Sequence, residues 1–335
     1  MRIKQILGYS GLSVVVLIAG ILAIAQISYQ TIPEIEPPGE MYSVNDGKIH
    51  MYCTGPHNEN PTIIVISGGS TPSLEYFYLQ EKLSQTARTC SYDTAGIGWS
   101  PPNDISYTAK NMSDELRQLL QAAGINGPII LAGHSVGGIT GLVYSAEHKE
   151  QVAGIALVVP SHYDQEGYFG DEFKEKFDSR INESLDNLWI IEIGNELGIM
   201  NLLGVWNNPE LDIPEYNEMR ASLYKWNPPF PAIKSMASNI DVSSEQGKEV
   251  HYFRGDLPII VISASPIALN SQEIGGITLE EYREGLVRFH KDLAGLSSSG
   301  KHVFVNGTDN TSIIVNDETA EHILSIIVKQ DEKQR

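Results

Sequence analysis

A serine stands among small residues in the sequence Gly133-His134-Ser135-Val136-Gly137. The apolar run 129–132 before it predicts a strand, and the residues from Gly138 onward can begin a helix. Small residues at 133 and 137 let the backbone turn sharply, so that the Ser135 hydroxyl projects at the carboxyl edge of a sheet. Such a hydroxyl can act as a nucleophile, and the N-terminus of the following helix favours the negative charge that develops there.

The elements around this serine alternate between strands and helices, which predicts an α/β fold with a largely parallel sheet covered on both faces. Asn45-Asp46-Gly47 marks a hairpin between the first two strands. The predicted strands are 41–44, 49–53, 62–66, 88–92, 128–132, 154–159, 258–264 and 302–305. The predicted helices are 109–124, 135–148, 279–296 and 318–328.

Residues 161–255 interrupt this alternation and are rich in aromatic and acidic side chains. A segment of this length between two strands is too long for a plain loop. We therefore expect a mainly helical cap at 161–255, inserted into a core domain formed by residues 41–160 and 256–330.

The N-terminus predicts export. Arg2 and Lys4 precede an uncharged, mostly apolar stretch, and the next basic residue is Lys48, so the short basic end is expected to stay in the cytoplasm. Residues 1–30 predict a transmembrane anchor or a signal peptide, and residues 31–40 a stiff polar linker. In the second case cleavage near Ala25 would release a secreted protein. Either alternative places the remaining chain outside the cytoplasm.

Composition limits the partners. The formal net charge of −19 argues against nucleic acid, because the phosphate backbone would be repelled. No Cys-x-x-Cys or His-x-x-x-His spacing occurs, so we expect no metal site, and nothing indicates another cofactor. The expected partners are a small acyl or apolar molecule and, through the N-terminal helix, a membrane. The sequence does not indicate an oligomeric state.

Two segments together resemble the α/β-hydrolase superfamily. They are Gly-His-Ser-Val-Gly-Gly at 133–138 and Ser-Tyr-Asp-Thr-Ala-Gly-Ile-Gly-Trp-Ser at 91–100. The second is similar to a Tyr-Asp-Arg-Ala-Gly-Tyr-Gly-Trp-Ser segment of bacterial members, with Thr94 in place of the arginine. The resemblance covers residues 48–160 and 257–330. It implies an eight-stranded, mostly parallel sheet with helices on both faces, and a serine hydrolase acting on esters or related acyl substrates through a Ser, acid, His triad.

The resemblance also implies roles for residues away from the serine. One oxyanion donor would be the N–H of Val136, and the other would come from the loop Ser67-Gly68-Gly69-Ser70, where Gly69 is our choice. Relatives place the second and fourth strands side by side, which implies a disulfide between Cys53 and Cys90. The alternative for these cysteines is two buried thiols.

The expected catalytic histidine is missing. Relatives carry it after the last strand, and that position falls here on Asn310, whose amide cannot accept the serine proton. His162, at the carboxyl end of strand 154–159, is the substitute that we expect at the correct edge of the sheet. His134 should point away from the serine, His302 should lie at the far edge, and His251 cannot be placed. His290 and His322 should pack outside the sheet.

The catalytic acid is open between Asp164, after strand 154–159, and Glu273, after strand 258–264. Asp93 and Asp309 are expected to order their own turns. Two functions follow. The first is an exported serine hydrolase with an impaired or rerouted triad. The second is a non-catalytic ligand- or partner-binding protein on the same scaffold.

Overall fold

The computed structural model describes the chain except for Met1, His162, 210–212, Phe253, 265–272, Gly275 and Arg335. Side chains are also left undescribed at 2–12, 165, 273–274 and 328–334.

The core is an eight-stranded sheet. Its strands are β1 (Glu40–Val44), β2 (Gly47–Thr54), β3 (Thr62–Ile66), β4 (Thr89–Tyr92), β5 (Ile129–His134), β6 (Val152–Val158), β7 (Ile259–Ala264) and β10 (Lys301–Val305). Their order is β1-β2-β4-β3-β5-β6-β7-β10, and only the pairings of β2 with β1 and with β4 are antiparallel. The short strands β8 (Glu273–Ile274) and β9 (Ile277–Thr278) pair separately. The predicted mostly parallel, eight-stranded sheet is confirmed.

Helices cover both faces of this sheet. The helices of the core are α2 (Phe77–Ser84), α3 (Ala109–Ala122), α4 (Gly137–Glu147), α11 (Leu279–Gly295) and α12 (Asp317–Gln334). Helices α3, α4 and α11 bury leucines, isoleucines and phenylalanines on one face. Helices α2 and α12 bury theirs on the other. Neighbouring strand residues such as Ile63 and Ile64 point to opposite faces and are fully buried, as expected of central parallel strands.

A mainly helical segment lies between β6 and β7. Its described helices are α5 (Gln165–Phe169), α6 (Asp171–Glu196), α7 (Ile199–Leu202), α8 (Pro214–Trp226), α9 (Phe230–Ser238) and α10 (Ile240–Glu249). These helices lie over the carboxyl edge of the sheet, because residues of α5, α6 and α10 share a cavity with Ser135 at the end of β5. We refer to this segment below as the cap.

The N-terminal helix α1 spans Arg2–Gln30. Its window Ser13–Gln30 has a mean hydropathy of 1.8 and is almost entirely exposed, so by length and composition it could cross a membrane. Such a helix is expensive to leave in water and is typical of a membrane anchor or a signal sequence.

Strands β2 and β4 are joined by a disulfide between Cys53 and Cys90, which are directly opposed in the antiparallel register. This is the pairing that the resemblance implies. The structure also contains an element that the sequence pattern did not predict, a 3-10 turn at Ser73–Tyr76 that continues into α2.

Candidate active site

Ser135 occupies the sharp turn between β5 and α4. Its φ is +51°, a left-handed conformation that residues with a side chain rarely adopt. Two hydrogen bonds hold it there: the Ser135 N–H donates to the Val158 carbonyl at 3.0 Å, and the Ser161 N–H donates to the Ser135 carbonyl at 3.0 Å. Gly137 packs directly against the Ser67 carbonyl, where a Cβ would collide. Strand, turn and helix thus hold Ser135 as the sequence motif implies.

The Ser135 side chain borders a cavity of about 380 Å³ between the sheet edge and the cap. One side of the cavity has an aromatic wall: the ring of Phe169 lies 4.6 Å from that of Phe173 and 5.2 Å from that of Tyr282, measured between centroids. Phe177 and Phe304 complete this aromatic wall. A largely apolar cavity of this size with a few polar groups is typical of a small-molecule site.

The two residues expected to stabilise an oxyanion are neighbours in the structure. A Cβ on Gly69 would lie 3.3 Å from the Val136 Cγ2 atom. In the described part of the chain neither the Gly69 N–H nor the Val136 N–H donates to another residue. Met236 of α9 covers Gly69, where an added Cβ would lie 2.6 Å from its sulfur. Two unused amides therefore lie close to the serine, beneath one flexible side chain of the cap.

The hydroxyl of Ser135 is held by another serine. Ser135 Oγ and Ser161 Oγ are 3.0 Å apart and share a hydrogen bond. Within the described residues no imidazole hydrogen-bonds to Ser135, although Asn310 lines the same cavity. Ser161 directly precedes His162, the expected substitute base, which lies outside the described residues. The carboxyl end of β6 thus contributes a contact to the serine, which strand-end reasoning could have found at Ser161.

His134 links the serine turn to two other loops. The Gly68 N–H donates to the Tyr76 hydroxyl at 2.6 Å, and that hydroxyl lies 2.8 Å from His134 Nδ1. His134 Nε2 lies 2.9 Å from the Asn310 carbonyl. Burial lowers the pKa of His134 to about 4, so the ring is neutral; its Nε2–H donates to the carbonyl and its Nδ1 accepts from the tyrosine. Both nitrogens are occupied, so His134 is positioned to hold loops together and not to act as a base.

A second histidine borders the cavity. His290 of α11 is 3% exposed and lines the cavity together with Ser135, which corrects the expectation that this helix carries it outside the sheet. Its Nδ1 lies 2.5 Å from Ser263 Oγ, and His302 Nε2 lies 2.7 Å from the same oxygen. His302 therefore contacts Ser263, a residue of the cavity wall, and does not lie apart from the cavity as expected. Burial, with a smaller contribution from His302, lowers the pKa of His290 to about 4.

Of the two expected acids, the structure describes the side chain of Asp164. Asp164 caps α5 by accepting from the Gly167 N–H at 3.3 Å, and it pairs with Lys248 at 3.3 Å. It does not line the cavity of Ser135, and its ion pair with Lys248 directs it toward α10. The side chain of Glu273 lies outside the described residues.

Asp309 lines the cavity, but its carboxylate forms hydrogen bonds within its own turn. Its carboxylate accepts from the Thr311 N–H and the Ser312 N–H, each at 2.8 Å. These hydrogen bonds, chiefly those from Ser312, lower the pKa of Asp309. Among the described residues, no group of three histidine, cysteine, aspartate or glutamate side chains is placed to hold a metal ion.

Comparison with known proteins agrees with this geometry. A family model described as the alpha/beta hydrolase fold matches residues 61–185. A cis-3-alkyl-4-alkyloxetan-2-one decarboxylase of Shewanella oneidensis is 29% identical over 119 residues, which cover 35% of this chain and 36% of that protein. A 2-hydroxy-6-oxo-6-(2'-aminophenyl)hexa-2,4-dienoic acid hydrolase of Metapseudomonas resinovorans is 27% identical over 117 residues, which cover 34% of this chain and 40% of that protein.

The crystal structure of an epoxide hydrolase from Vigna radiata superposes with a TM-score of 0.60 at 17% identity, covering 89% of this chain and 100% of that one. This likeness shows the fold. The chain spans only 18–40% of the length of the first curated relatives that it matches. Sheet order, the strained serine turn and the matching family model together show that the chain has the α/β-hydrolase fold.

Proposed function

We propose that this chain is a membrane-anchored, extracytoplasmic hydrolase that cleaves esters or related acyl compounds through Ser135. The observation that carries the proposal is the strained Ser135 turn, which opens onto an apolar cavity; the unused amide of Val136 lies on its wall, and that of Gly69 lies next to Val136. Among the relatives, one is a hydrolase of a dienoic acid and another is a decarboxylase. The scaffold therefore fits hydrolysis without naming the substrate.

The chemistry follows from the positions of these groups. Ser135 Oγ would attack the acyl carbon while the general base takes its proton, and the carbonyl oxygen would gain negative charge as the new bond forms. The N–H groups of Gly69 and Val136 would receive that charge, and the loss of one such donor typically costs about 10²–10³-fold in rate. The C–O bond to the alcohol would then break, the alcohol would leave with the proton held by the base, and water would hydrolyse the acyl-serine to release the acid and restore Ser135. The apolar part of the acyl group would lie against the aromatic wall of the cavity. Met236 would have to move aside, because it covers Gly69.

The general base is proposed to be His162. Its neighbour in the chain, Ser161, contacts the Ser135 hydroxyl, so the backbone at this point already lies beside the nucleophile. His290 is the second candidate because it borders the same cavity. With a pKa near 4, however, His290 would be a weak base at neutral pH. This difference favours His162.

Two observations support an anchored, exported chain. The Cys53–Cys90 disulfide is typical of proteins in oxidising compartments. Ala25, at the alternative cleavage site, is fully buried, and Lys225 of α8 donates to the Ile32 carbonyl at 2.8 Å. Because the end of α1 packs against the cap in this way, we propose that α1 is retained rather than cleaved near Ala25. Amino-terminal sequencing of the mature protein tests this, and a start near Gln26 would contradict it.

A fluorophosphonate probe tests the hydrolase proposal on the full chain in membranes. We expect labelling of Ser135, complete loss of labelling in Ser135→Ala, and strongly slowed labelling in His162→Ala. His290→Ala is the matched control and should label at nearly the native rate. A folded native chain that shows no labelling, with no turnover of short-chain esters, would overturn the proposal.

The second candidate function is binding without catalysis. It is favoured by one observation: the Ser135 hydroxyl is held by Ser161 and, among the described residues, by no imidazole, while Asn310 lies at the family position of the histidine. In that case the aromatic cavity would retain an apolar ligand. Ester turnover that disappears in Ser135→Ala would exclude this alternative.

A further inference from the structure

The cap carries an exposed apolar surface beside the N-terminal helix. We define the apolar cap face by Trp189 and Ile193 of α6, Leu197 directly after it, Leu202 of α7, Leu203 after that helix, and Trp226 at the end of α8. Leu203 is 70% exposed, Trp189 57% and Trp226 51%. Trp189, Ile193 and Leu197 follow one another at four-residue spacing and therefore share one side of α6. A contiguous apolar surface on a folded domain marks a partner protein or a membrane.

Specific contacts place this face at the end of α1. The Gln26 side chain donates to the Glu196 carbonyl, at the end of α6, at 2.7 Å. Gly198 begins α7 against Ala25: a Cβ there would lie 2.5 Å from the Ala25 carbonyl oxygen and 2.7 Å from Tyr29 Cβ. Lys225, next to Trp226, donates to the carbonyls of Gln30 and Ile32. All three cap helices that carry the face therefore touch the last turns of α1.

The position of these contacts along α1 indicates whether lipid or water surrounds the apolar cap face. The apolar window of α1 runs from Ser13 to Gln30, and Gly198 packs at Ala25, five residues before its end. At 1.5 Å per residue, Ala25 lies about 8 Å inside the end of that window. If α1 crosses a bilayer, the residues around Gly198 must lie at the level of its outer boundary. Leu202 and Leu203 then meet lipid instead of water.

We propose that the apolar cap face rests on the outer leaflet of the bilayer that α1 spans, with Trp189 and Trp226 in the interfacial region. This inference rests on the anchoring part of the proposed function. Tryptophan is enriched at membrane interfaces because one side of its ring is apolar and its N–H remains hydrated. The six side chains that define the face carry no charge, and the chain as a whole is acidic. The contact is therefore hydrophobic and does not depend on anionic lipid or on low ionic strength.

Brominated phospholipid tests this contact in the full-length chain. The protein is reconstituted into vesicles of neutral phosphatidylcholine, with or without bromine on the acyl chains, and tryptophan emission is compared. Trp189 and Trp226 are two of four tryptophans, and the other two, Trp99 and Trp206, are only partly exposed. We expect bromine to quench up to about half of the emission, since interfacial tryptophans lie within reach of the acyl chains. Raising the salt concentration should leave the quenching unchanged.

Matched variants test whether the quenching comes from the apolar cap face or from another part of the protein. The double variant Trp189→Phe/Trp226→Phe should lose most of the quenching, while Trp99→Phe should keep it. Leu203→Asp, at an exposed position that tolerates a polar side chain, should reduce quenching at native stability. Ile105→Asp, at an exposed apolar position of the core domain, should not. Quenching that is absent, or that survives the double tryptophan variant, would overturn the inference.

The outcomes also separate this inference from the proposed function. Release of the chain by alkaline carbonate would contradict the anchor and with it this contact. A chain that resists carbonate but shows no quenching would contradict the cap contact alone. Ser135→Ala should not change the quenching, so failure of the catalytic proposal leaves the membrane contact standing.

Discussion

His134 and Asn310 are joined by a hydrogen bond of 2.9 Å from the imidazole Nε2–H to the backbone carbonyl. This bond fastens the loop after β10 to the residue that precedes the candidate nucleophile. Through Nδ1 the same ring accepts from Tyr76, whose oxygen in turn receives the Gly68 N–H. One neutral imidazole therefore sets the positions of the serine turn, the loop that contains Gly68 and Gly69, and the loop that contains Asn310.

The first prediction concerns Tyr76. Tyr76→Phe removes a buried hydroxyl and leaves the Gly68 N–H and His134 Nδ1 without partners. A buried polar group left unpaired costs about 1–3 kcal/mol, so we expect a loss of this order in the free energy of unfolding. Thermal unfolding in detergent measures it. Tyr78→Phe, which removes a surface hydrogen bond to Asp317, should change stability by no more than about 0.5 kcal/mol. Equal effects of the two variants would contradict this role for Tyr76.

The second prediction concerns acid. His134 and His290 have pKa values of about 4 in the folded chain, below the value near 6.5 in the unfolded chain. The unfolded chain therefore binds more protons, so their contribution to stability is intact above about pH 6.5 and is lost as the pH falls toward 4. At pH 5 each should cost about 2 kcal/mol of unfolding free energy. His134→Gln should remove its share of this acid sensitivity. A variant with the native slope between pH 7 and pH 5 would exclude this titration.

Much of the core could be predicted from the sequence. Strand 62–66 was placed with its observed bounds, and the Ser135 turn has the expected neighbours, because short β-branched runs and glycine spacing are local signals. The Cys53–Cys90 pair required the family resemblance, since strand order is not a local property. The position of Tyr76 could not be predicted, because its 3-10 turn is short and has no apolar periodicity.

His290 shows why the rest of the site could not be predicted. The stripe Tyr282, Leu286, Phe289 and Leu293 predicts one buried side of α11, but the helix buries two. Phe289 and Leu293 face the sheet, whereas Leu286 and His290, four residues apart, face the cavity. The second buried side exists only because the cap covers it. A sequence pattern that assigns one apolar stripe to a helix therefore places His290 on the wrong side.

The third prediction tests the buried pair His50 and Asp93. Nδ1 of His50 lies 2.8 Å from an Asp93 carboxylate oxygen, and its Nε2 contacts the Pro38 carbonyl. The same carboxylate also accepts from the Ser73 N–H at 2.6 Å and from the Trp99 N–H at 3.1 Å. Asp93→Ala would leave the His50 ring and these two N–H groups without their acceptor, and each buried polar group left unpaired costs about 1–3 kcal/mol.

Unfolding in detergent compares Asp93→Ala with the exposed Asp104→Ala, which should be within about 0.5 kcal/mol of the native chain. A native melting temperature for Asp93→Ala would mean that this carboxylate does not hold the linker at Pro38 against the core.

The last prediction places a histidine at position 310, where the resemblance leads us to expect one. Asn310 lines the cavity with Ser135, and His134 already holds its backbone by a hydrogen bond. An imidazole introduced at this position would therefore be carried by a loop whose position is fixed. Loss of the base in serine hydrolases costs up to about 10⁶-fold in turnover, so restoring even part of that function should be large. We expect Asn310→His to raise ester hydrolysis at least about tenfold, with a rate that falls below about pH 6.5 as the new imidazole is protonated.

Asn310→Gln is the matched control, because it enlarges the side chain without supplying a base, and it should leave the rate unchanged. Adding Ser135→Ala to Asn310→His should abolish the gain. If Asn310→His and Asn310→Gln behave alike, the base of this site enters from another loop, and the His162 variant becomes the decisive measurement. If instead Asn310→His gains activity while His162→Ala leaves the native chain unchanged, the native protein lacks a general base and binding becomes the better account of the cavity.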